Sequence, residues 1–364
     1  MSVRVELGRQ SSDLFQGDGS RRRLIECLTK AHKRWVVLTD EEVRAALEPR
    51  CPELFSGLGV LSVPAGEESK SLANASELWG KLCELGADRS TAVLAVGGGM
   101  VTDLAGFVAS TYLRGLPFYS CPTSLLAMVD ASVGGKVGID LPEGKNLVGS
   151  FYPATAVAVD PQLLDTLPQS EWASGMAEVI KHGVLAGDDL WNSLLRGEKG
   201  QLQSAEGRAK LLEEAVAVKL QVVVQDPYEK TGLRATLNLG HTFGHALEWS
   251  SEFELRHGEA VGLGMLAAVR LSRALGILEV DFESELLSLL ERWSLPTTLP
   301  GPQRACWNWE PLRQAFGRDK KASAGEWNFI LPTRPGRVLQ ITAPDPALVR
   351  AAVESLKEPS GVNR

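Results

Sequence analysis

Along the first 160 residues, short unbroken apolar runs alternate with longer stretches in which apolar positions recur every three or four residues. The runs are Arg34–Thr39 (RWVVLT), Val60–Val63, Thr91–Val96 (TAVLAV), Phe118–Cys121 and Ala154–Val159 (ATAVAV). Short, β-branched and apolar throughout, they predict strands covered on both faces of a parallel sheet. Ser69–Leu85, with one apolar and one polar face, predicts a helix between two of them. This is the α/β pattern. After Asp160 the alternation stops, and helical periodicity takes over at Ser170–Leu185, Arg208–Gln225, Gly240–Trp249, Gly258–Leu275 and Phe282–Trp293. The segment PQLLDTLP, with a proline at each end, marks the change of texture. It places a Rossmann-like parallel-sheet domain at 1–165 and an all-α domain at 166–364, with a short hairpin expected within Arg318–Pro332.

A length of 364 residues agrees with two domains, and 44% hydrophobic with 23% charged residues is an ordinary globular composition. No apolar run approaches the roughly 18 residues that a membrane helix needs. The N-terminal MSVRVELGRQSSDLF has no apolar segment behind its basic residues, so it does not read as a secretory signal and the expected compartment is the cytoplasm. A net charge of −7 without a dense basic run argues against a nucleic-acid surface, so an anionic partner has to be met by a local cationic pocket. Cys27, Cys51, Cys83, Cys121 and Cys306 are scattered, none at CxxC spacing, which predicts reduced structural thiols.

Candidate chemistry begins where TAVLAV runs into GGGMVTD (97–103) and then LAGFVAS. Strand, glycine turn and helix start together make a phosphate cradle, because backbone N–H groups and the helix dipole face the anion. The dinucleotide fingerprint GxGxxG is not met, since Thr102 stands at the third glycine position. A second glycine-rich stretch, 122–149, is expected to hold Asp130, Lys136, Lys145 and Asn146 in loops. His241 and His245, four apart, share a helical face suited to two imidazole ligands, with Glu248 as a possible third. His257 opens another helix. In SGMAEVIKHG, Met176, Val179, Ile180 and Val184 make an apolar face, which leaves Glu178, Lys181 and His182 on the polar, solvent-facing side. Lys219 stands inside an apolar stripe with Leu212, Val216 and Val223, a costly position unless it is paired or faces a polar cavity.

GEESKS (66–71), GGGMVTDLAGFVASTYLRG (97–115), PTSLLAMVDASVGGKVGID, KNLVG, GMAEVIKHG, LNLGHTFGH, HGEAVGLGM and DKK (319–321) together resemble the 3-dehydroquinate synthase family, in that family's order and over most of the chain. The resemblance implies a phosphorus–oxygen lyase of the shikimate pathway that leads to aromatic amino acids. It would turn 3-deoxy-D-arabino-heptulosonate 7-phosphate into 3-dehydroquinate and phosphate by transient oxidation, β-elimination, re-reduction and aldol closure. It implies NAD, one zinc or cobalt ion and a homodimer. The metal ligands would be Glu178, His241 and His257, in place of the 241/245 pair that spacing favours. NAD would meet Asp40, Glu67, Lys70, Gly98, Gly99, Met100, Asp103, Thr123, Ser124, Lys136, Lys145, Thr166 and Leu167. Substrate would meet Asp130, Lys136, Asn146, Lys181, Lys219, Arg234, Asn238, His245 and either Lys320 or Lys321, with Arg114 reaching across the dimer. The chain departs from the family pattern at Glu42, where an asparagine is usual near the adenosine, and at Ser124, which replaces a threonine. Two other enzymes would share the glycine turn and metal ligands: a cyclase acting on a sugar phosphate without a carboxylate, and a polyol dehydrogenase of the glycerol dehydrogenase type.

Overall fold

The five apolar runs lie in one sheet of the computed structural model, which describes residues 2–197, 200, 204–252, 254–301, 309–318 and 327–358. In chain order the strands of the first half are β1 (Ser2–Leu7), β2 (Gln10–Gln16), β3 (Trp35–Asp40), β4 (Gly59–Val63), β5 (Ala92–Gly97), β6 (Phe118–Pro122), β7 (Lys136–Leu141), β8 (Gly144–Phe151) and β9 (Ala156–Val159). Seven of them form a sheet in the order β1-β2-β9-β6-β5-β3-β4. Every pairing is parallel except the edge hairpin β1–β2. β5 and β6 are buried along their whole length, as their unbroken apolar runs require. From β3 the chain goes outward to β4, and from β5 it goes the other way to β6. The strand order therefore turns between β3 and β5 and opens a crevice at their carboxyl ends.

The β1–β2 hairpin was not expected, because Ser2–Leu7 is apolar only at every second position, Val3, Val5 and Leu7, and not in an unbroken run. β7 and β8 also correct an expectation. They pair as an antiparallel hairpin, so Lys136 lies in β7, and Lys145 and Asn146 lie in β8, rather than in loops. Asp130 sits in a single π-helical turn, Ala127–Ala131.

The chain divides into two units, Met1–Glu171 with Ser204–Tyr228, and Trp172–Gln203 with Glu229–Arg364. This differs from a boundary at 165, because the helix Ala205–Gln225 belongs to the first unit and not to the helical half. Its buried stripe of Leu212, Val216, Lys219 and Val223 packs on the turn Ala127–Ala131 and on β1. Arg208 Nη1 also holds Asp165 Oδ1 at 2.6 Å. An amphipathic helix goes where its stripe is covered, whatever its place in the chain.

The second unit contains the helices Asp188–Arg196, His241–Ser250, His257–Ala274, Glu283–Arg292, Trp309–Arg318 and Pro346–Glu354, and most of Gln169–Ala186. It is not wholly helical: β10 (Asn328–Arg334) and β11 (Arg337–Thr342) pair as a hairpin, about ten residues beyond the expected one. His257–Ala274 has thirteen buried residues and forms the centre of this unit. Among the described residues no helix is long and apolar enough to cross a membrane. Cys27, Cys51, Cys83 and Cys121 are free thiols, and Cys306 lies outside the described residues.

Candidate functional site

In the first unit the expected nucleotide residues gather at the carboxyl edge of the parallel sheet. Asp40 ends β3 and caps the helix Glu41–Leu47 by accepting from Val43 N at 2.8 Å. Glu67 and Lys70 follow β4, the Gly97–Gly99 turn follows β5, and Thr123 and Ser124 follow β6. Thr166 and Leu167 come after β9, at the end of the 3-10 turn Pro161–Thr166. The helix Gly99–Thr111, with Met100 in its first turn, starts without a side-chain cap and without an acidic residue there. Its first N–H groups are therefore available to an anion, and the crevice beside them fits a phosphate-bearing nucleotide.

Lys70 is the pivot of this edge. Almost completely buried, its Nζ donates to Asp103 Oδ2 at 2.6 Å and Asn146 Oδ1 at 2.5 Å, with Glu67 Oε1 at 3.5 Å. Burial alone would discharge the ammonium, but Asp103 and Glu67 outweigh it and hold its pKa above the ordinary lysine range. Asp140, which the sequence did not single out, accepts from Asn146 N at 2.7 Å and so braces β8 under this contact. Lys219, buried in its stripe, pairs with the Asp130 carboxylate and donates to the Asp130 carbonyl at 2.7 Å. Lys136 is exposed. Arg114 lies in a turn where Leu113, Arg114 and Gly115 take φ values of 50°, 70° and 124°, a conformation that strains the first two.

In the second unit the helix Gln169–Ala186 is buried on all sides from Trp172 to Val184. This overturns the solvent-facing expectation: Glu178, Lys181 and His182 are no more than 1% exposed, because their neighbours are each other and the helices around them. Glu178 Oε1 lies 3.4 Å from His241 Nε2 and 3.2 Å from His257 Nε2, and its Oε2 lies 2.5 Å from Lys181 Nζ. His241 Nδ1 is 3.2 Å from the Leu239 carbonyl, which makes it the donor there and leaves Nε2 to face Glu178.

Close backbone contacts hold these helices in register. A Cβ on Gly264 would stand 2.0 Å from the carbonyl oxygen of Gly240, the residue before His241. A Cβ on Gly258, the residue after His257, would stand 2.3 Å from Cα of Ser174, one turn before Glu178. Ser174 Oγ also accepts from Gly258 N at 3.2 Å. Ser174 thus ties the start of the His257 helix to the helix of Glu178, and no sequence pattern marks it.

Ligand atoms of Glu178, His241 and His257 lie within 4.8 Å of one another. A carboxylate oxygen and two imidazole lone pairs cannot converge without a cation between them, either a proton or a metal ion. The electrostatics agree. Burial works against the charge on Glu178, yet Lys181 and His241 hold it well below the usual carboxylate range. Burial likewise opposes protonation of His257, but hydrogen bonding to Glu178 and Glu248 pushes its pKa up to about 10. The 241/245 pairing favoured by spacing is not the one that meets Glu178. His245 is exposed, and forms a second group with Glu248 and His257, also within 4.8 Å. Arg234 is buried, and Asn238 Nδ2 donates to Ala235 O at 2.8 Å within the same 3-10 turn. Lys320 and Lys321 lie outside the described residues.

Residues 60–174 match the family model for the 3-dehydroquinate synthase N-terminal region, and residues 175–322 match that for its C-terminal region. A 3-dehydroquinate synthase from Symbiobacterium thermophilum is 41% identical over 375 aligned positions, covering 97% of this chain and 100% of that one. The solved structure of 2-deoxy-scyllo-inosose synthase with carbaglucose-6-phosphate, NAD+ and Co2+ superposes with a TM-score of 0.84 at 22% identity, over 98% of this chain and 99% of that one. ValA, a 2-epi-5-epi-valiolone synthase from Streptomyces hygroscopicus subsp. jinggangensis 5008 with NAD+ and Zn2+ bound, superposes with a TM-score of 0.82 at 27% identity, over 96% and 98%.

Proposed function

The chain belongs to the 3-dehydroquinate synthase family, and from that premise we propose that it converts 3-deoxy-D-arabino-heptulosonate 7-phosphate to 3-dehydroquinate and phosphate. The observation that carries the reading is the convergence of Glu178, His241 and His257. Two imidazoles and one carboxylate suit zinc or cobalt with a coordination position left for substrate. The uncapped start of Gly99–Thr111 beside Asp40, Lys70 and Asp103 suits the diphosphate and ribose of NAD. When bound, NAD supplies reversible hydride uptake, and the metal lowers the pKa of hydroxyls on the substrate.

The remaining work falls to the chain's own side chains. Phosphate leaves by β-elimination with one of its own oxygens accepting the proton, so the protein has to orient anions rather than supply a strong base. Lys219, fixed by Asp130, offers a cation whose position is set before substrate arrives. Arg234 offers a buried planar fork suited to a carboxylate or phosphate. Lys181 neutralises Glu178 from the side away from the histidines. We assign Asn146, Lys136, Asn238 and His245 to the same task, and Glu67, Gly98, Gly99, Met100, Thr123, Ser124, Lys145, Thr166 and Leu167 to the nucleotide. The reading extends to a cytoplasmic homodimer in which the strained turn at Arg114 serves the partner's substrate.

The test is to give zinc-loaded protein the heptulosonate phosphate with a trace of NAD, and to follow phosphate release and nicotinamide absorbance together. Many phosphates per NAD with no net absorbance change is the expected result. A rise in absorbance with turnover would move the chain to the dehydrogenases. Consumption of sedoheptulose 7-phosphate in place of the heptulosonate would move it to another cyclase.

A further inference from the structure

The helix His241–Ser250 carries a second buried carboxylate that the reaction as described does not use. Glu248 lies two turns beyond His241, is 2% exposed, and places Oε1 3.7 Å from His257 Nδ1. His257 therefore has a carboxylate at each ring nitrogen, with Glu178 Oε1 at 3.2 Å from Nε2. An imidazole that gives its Nε2 lone pair to a metal keeps its proton on Nδ1, and an acceptor behind that proton fixes both the tautomer and the ring plane.

His241 has such an acceptor in the main chain, the Leu239 carbonyl at 3.2 Å. His257 is the first residue of its helix and its side chain is 32% exposed, so both its backbone and its ring have more freedom. Its Nδ1 faces a side chain instead. Resting on the metal reading above, we propose that Glu248 is a positioning residue: it accepts the Nδ1 proton of His257 and turns Nε2 toward the metal held with Glu178 and His241. A small rotation of the ring closes 3.7 Å to a hydrogen bond of about 3 Å. The alternative is that Glu248, His245 and His257 bind an ion of their own, since their ligand atoms also lie within 4.8 Å.

The experiment compares the full chain with Glu248→Gln and Glu248→Met, each stripped of metal. Zinc affinity is read by competition with a chelator, zinc stoichiometry by titration, the cobalt(II) site by its visible absorption, and the metal-free fold by its Tm. One zinc per chain is expected in all three. Methionine, similar in size but with only a weakly accepting thioether, should weaken zinc binding by about 10–100-fold and shift the cobalt bands. Glutamine keeps an oxygen acceptor but a neutral one, and should recover most of that loss, binding about three- to tenfold more weakly than glutamate. Zinc binding by the methionine variant within twofold of the parent, with only Tm changed, would make Glu248 structural and overturn the proposal. So would a second zinc in the parent that both variants lose. If the methionine variant does not fold, the glutamine variant decides: unchanged affinity overturns the proposal. A parent that binds no zinc would overturn the metal reading itself, an outcome distinct from the others.

Discussion

Each unit of this chain buries a charge, and the two charges are balanced in different ways. In the first, the Lys70 ammonium has three N–H groups and faces three oxygens, those of Asp103, Asn146 and Glu67. Asp103 and Asn146 lie on a helix and a strand, with the more exposed Glu67 at 3.5 Å, so the cluster ties Gly99–Thr111, β8 and the turn after β4 together at the carboxyl edge of the sheet. In the second, the Glu178 carboxylate faces Lys181 on one side and two imidazoles on the other. The imidazoles are cationic only while they hold a proton, so that side of the cluster is balanced by something that can be exchanged. Both clusters are buried and polar, and both look like structural ion pairs when only distances are compared. The one that closes on side chains of the fold sets the shape of the proposed nucleotide edge. The one that closes with an exchangeable cation is the one proposed above to hold a metal.

The contrast is broken most directly at its centre. Glu178→Gln should abolish tight zinc binding and lower phosphate release by more than the roughly 100-fold that loss of an outer partner costs; retention of one zinc per chain at parental affinity would contradict the assignment. Lys70→Met is the matching change in the first unit. It strands Asp103 in a buried site and should cost about 3–5 kcal/mol in urea unfolding, while zinc affinity stays within twofold of the parent. Gly264→Ala puts a methyl where the Gly240 carbonyl stands. It should destabilise the protein by about 1–3 kcal/mol and, unlike Lys70→Met, weaken zinc binding, because the helices carrying His241 and His257 must move apart.

The smallest effect sharpens the comparison through pH. Without metal, the His257 pKa of about 10 is raised above its unfolded value near 6.5, so its contribution to stability is fully present below about pH 6.5 and lost as pH rises through 10. Glu178, held low, contributes above about pH 4.5, and that contribution is lost as pH falls through its folded value. Metal-stripped protein should therefore show a Tm that declines as pH rises from 7 to 10. Zinc-loaded protein should lack this decline, because a metal-bound imidazole has no such proton to lose. Equal slopes with and without zinc would mean that the proton and the metal do not share the site.

What the sequence disclosed follows from what a local pattern can contain. The buried strands β3, β5, β6 and β9 announced themselves because a strand covered on both faces is apolar at every position, and the half-buried edge strand β4 did so through its apolar Val60 and Leu61. β1 and β8 did not, since exposed strands have no such signature. Lys219 stood out as an anomaly in an apolar stripe, but its partner Asp130 is 89 positions away and nothing near Lys219 points to it. The HxxxH spacing drew attention to His245, because a pattern within one helix shows which residues share a face and not which helix that face meets. Only the resemblance supplied Glu178 and His257. The polar side of Gln169–Ala186 differs from expectation for a related reason: a helix surrounded by protein can keep charged residues inside when they pair, as Glu178 and Lys181 do.

The glycine contacts beside Glu178, His241 and His257 have a consequence for how the site ages and adapts. Gly264 rests on the Gly240 carbonyl and Gly258 on Ser174, main chain against main chain. Such contacts have no rotamers to redistribute. The gap between the ligands is thus gauged by parts that do not change shape when neighbouring leucines and valines are exchanged for one another. Core residues around this gauge can drift in sequence and leave the spacing of the three side chains unaltered, whereas one added methyl at position 258 or 264 resets it.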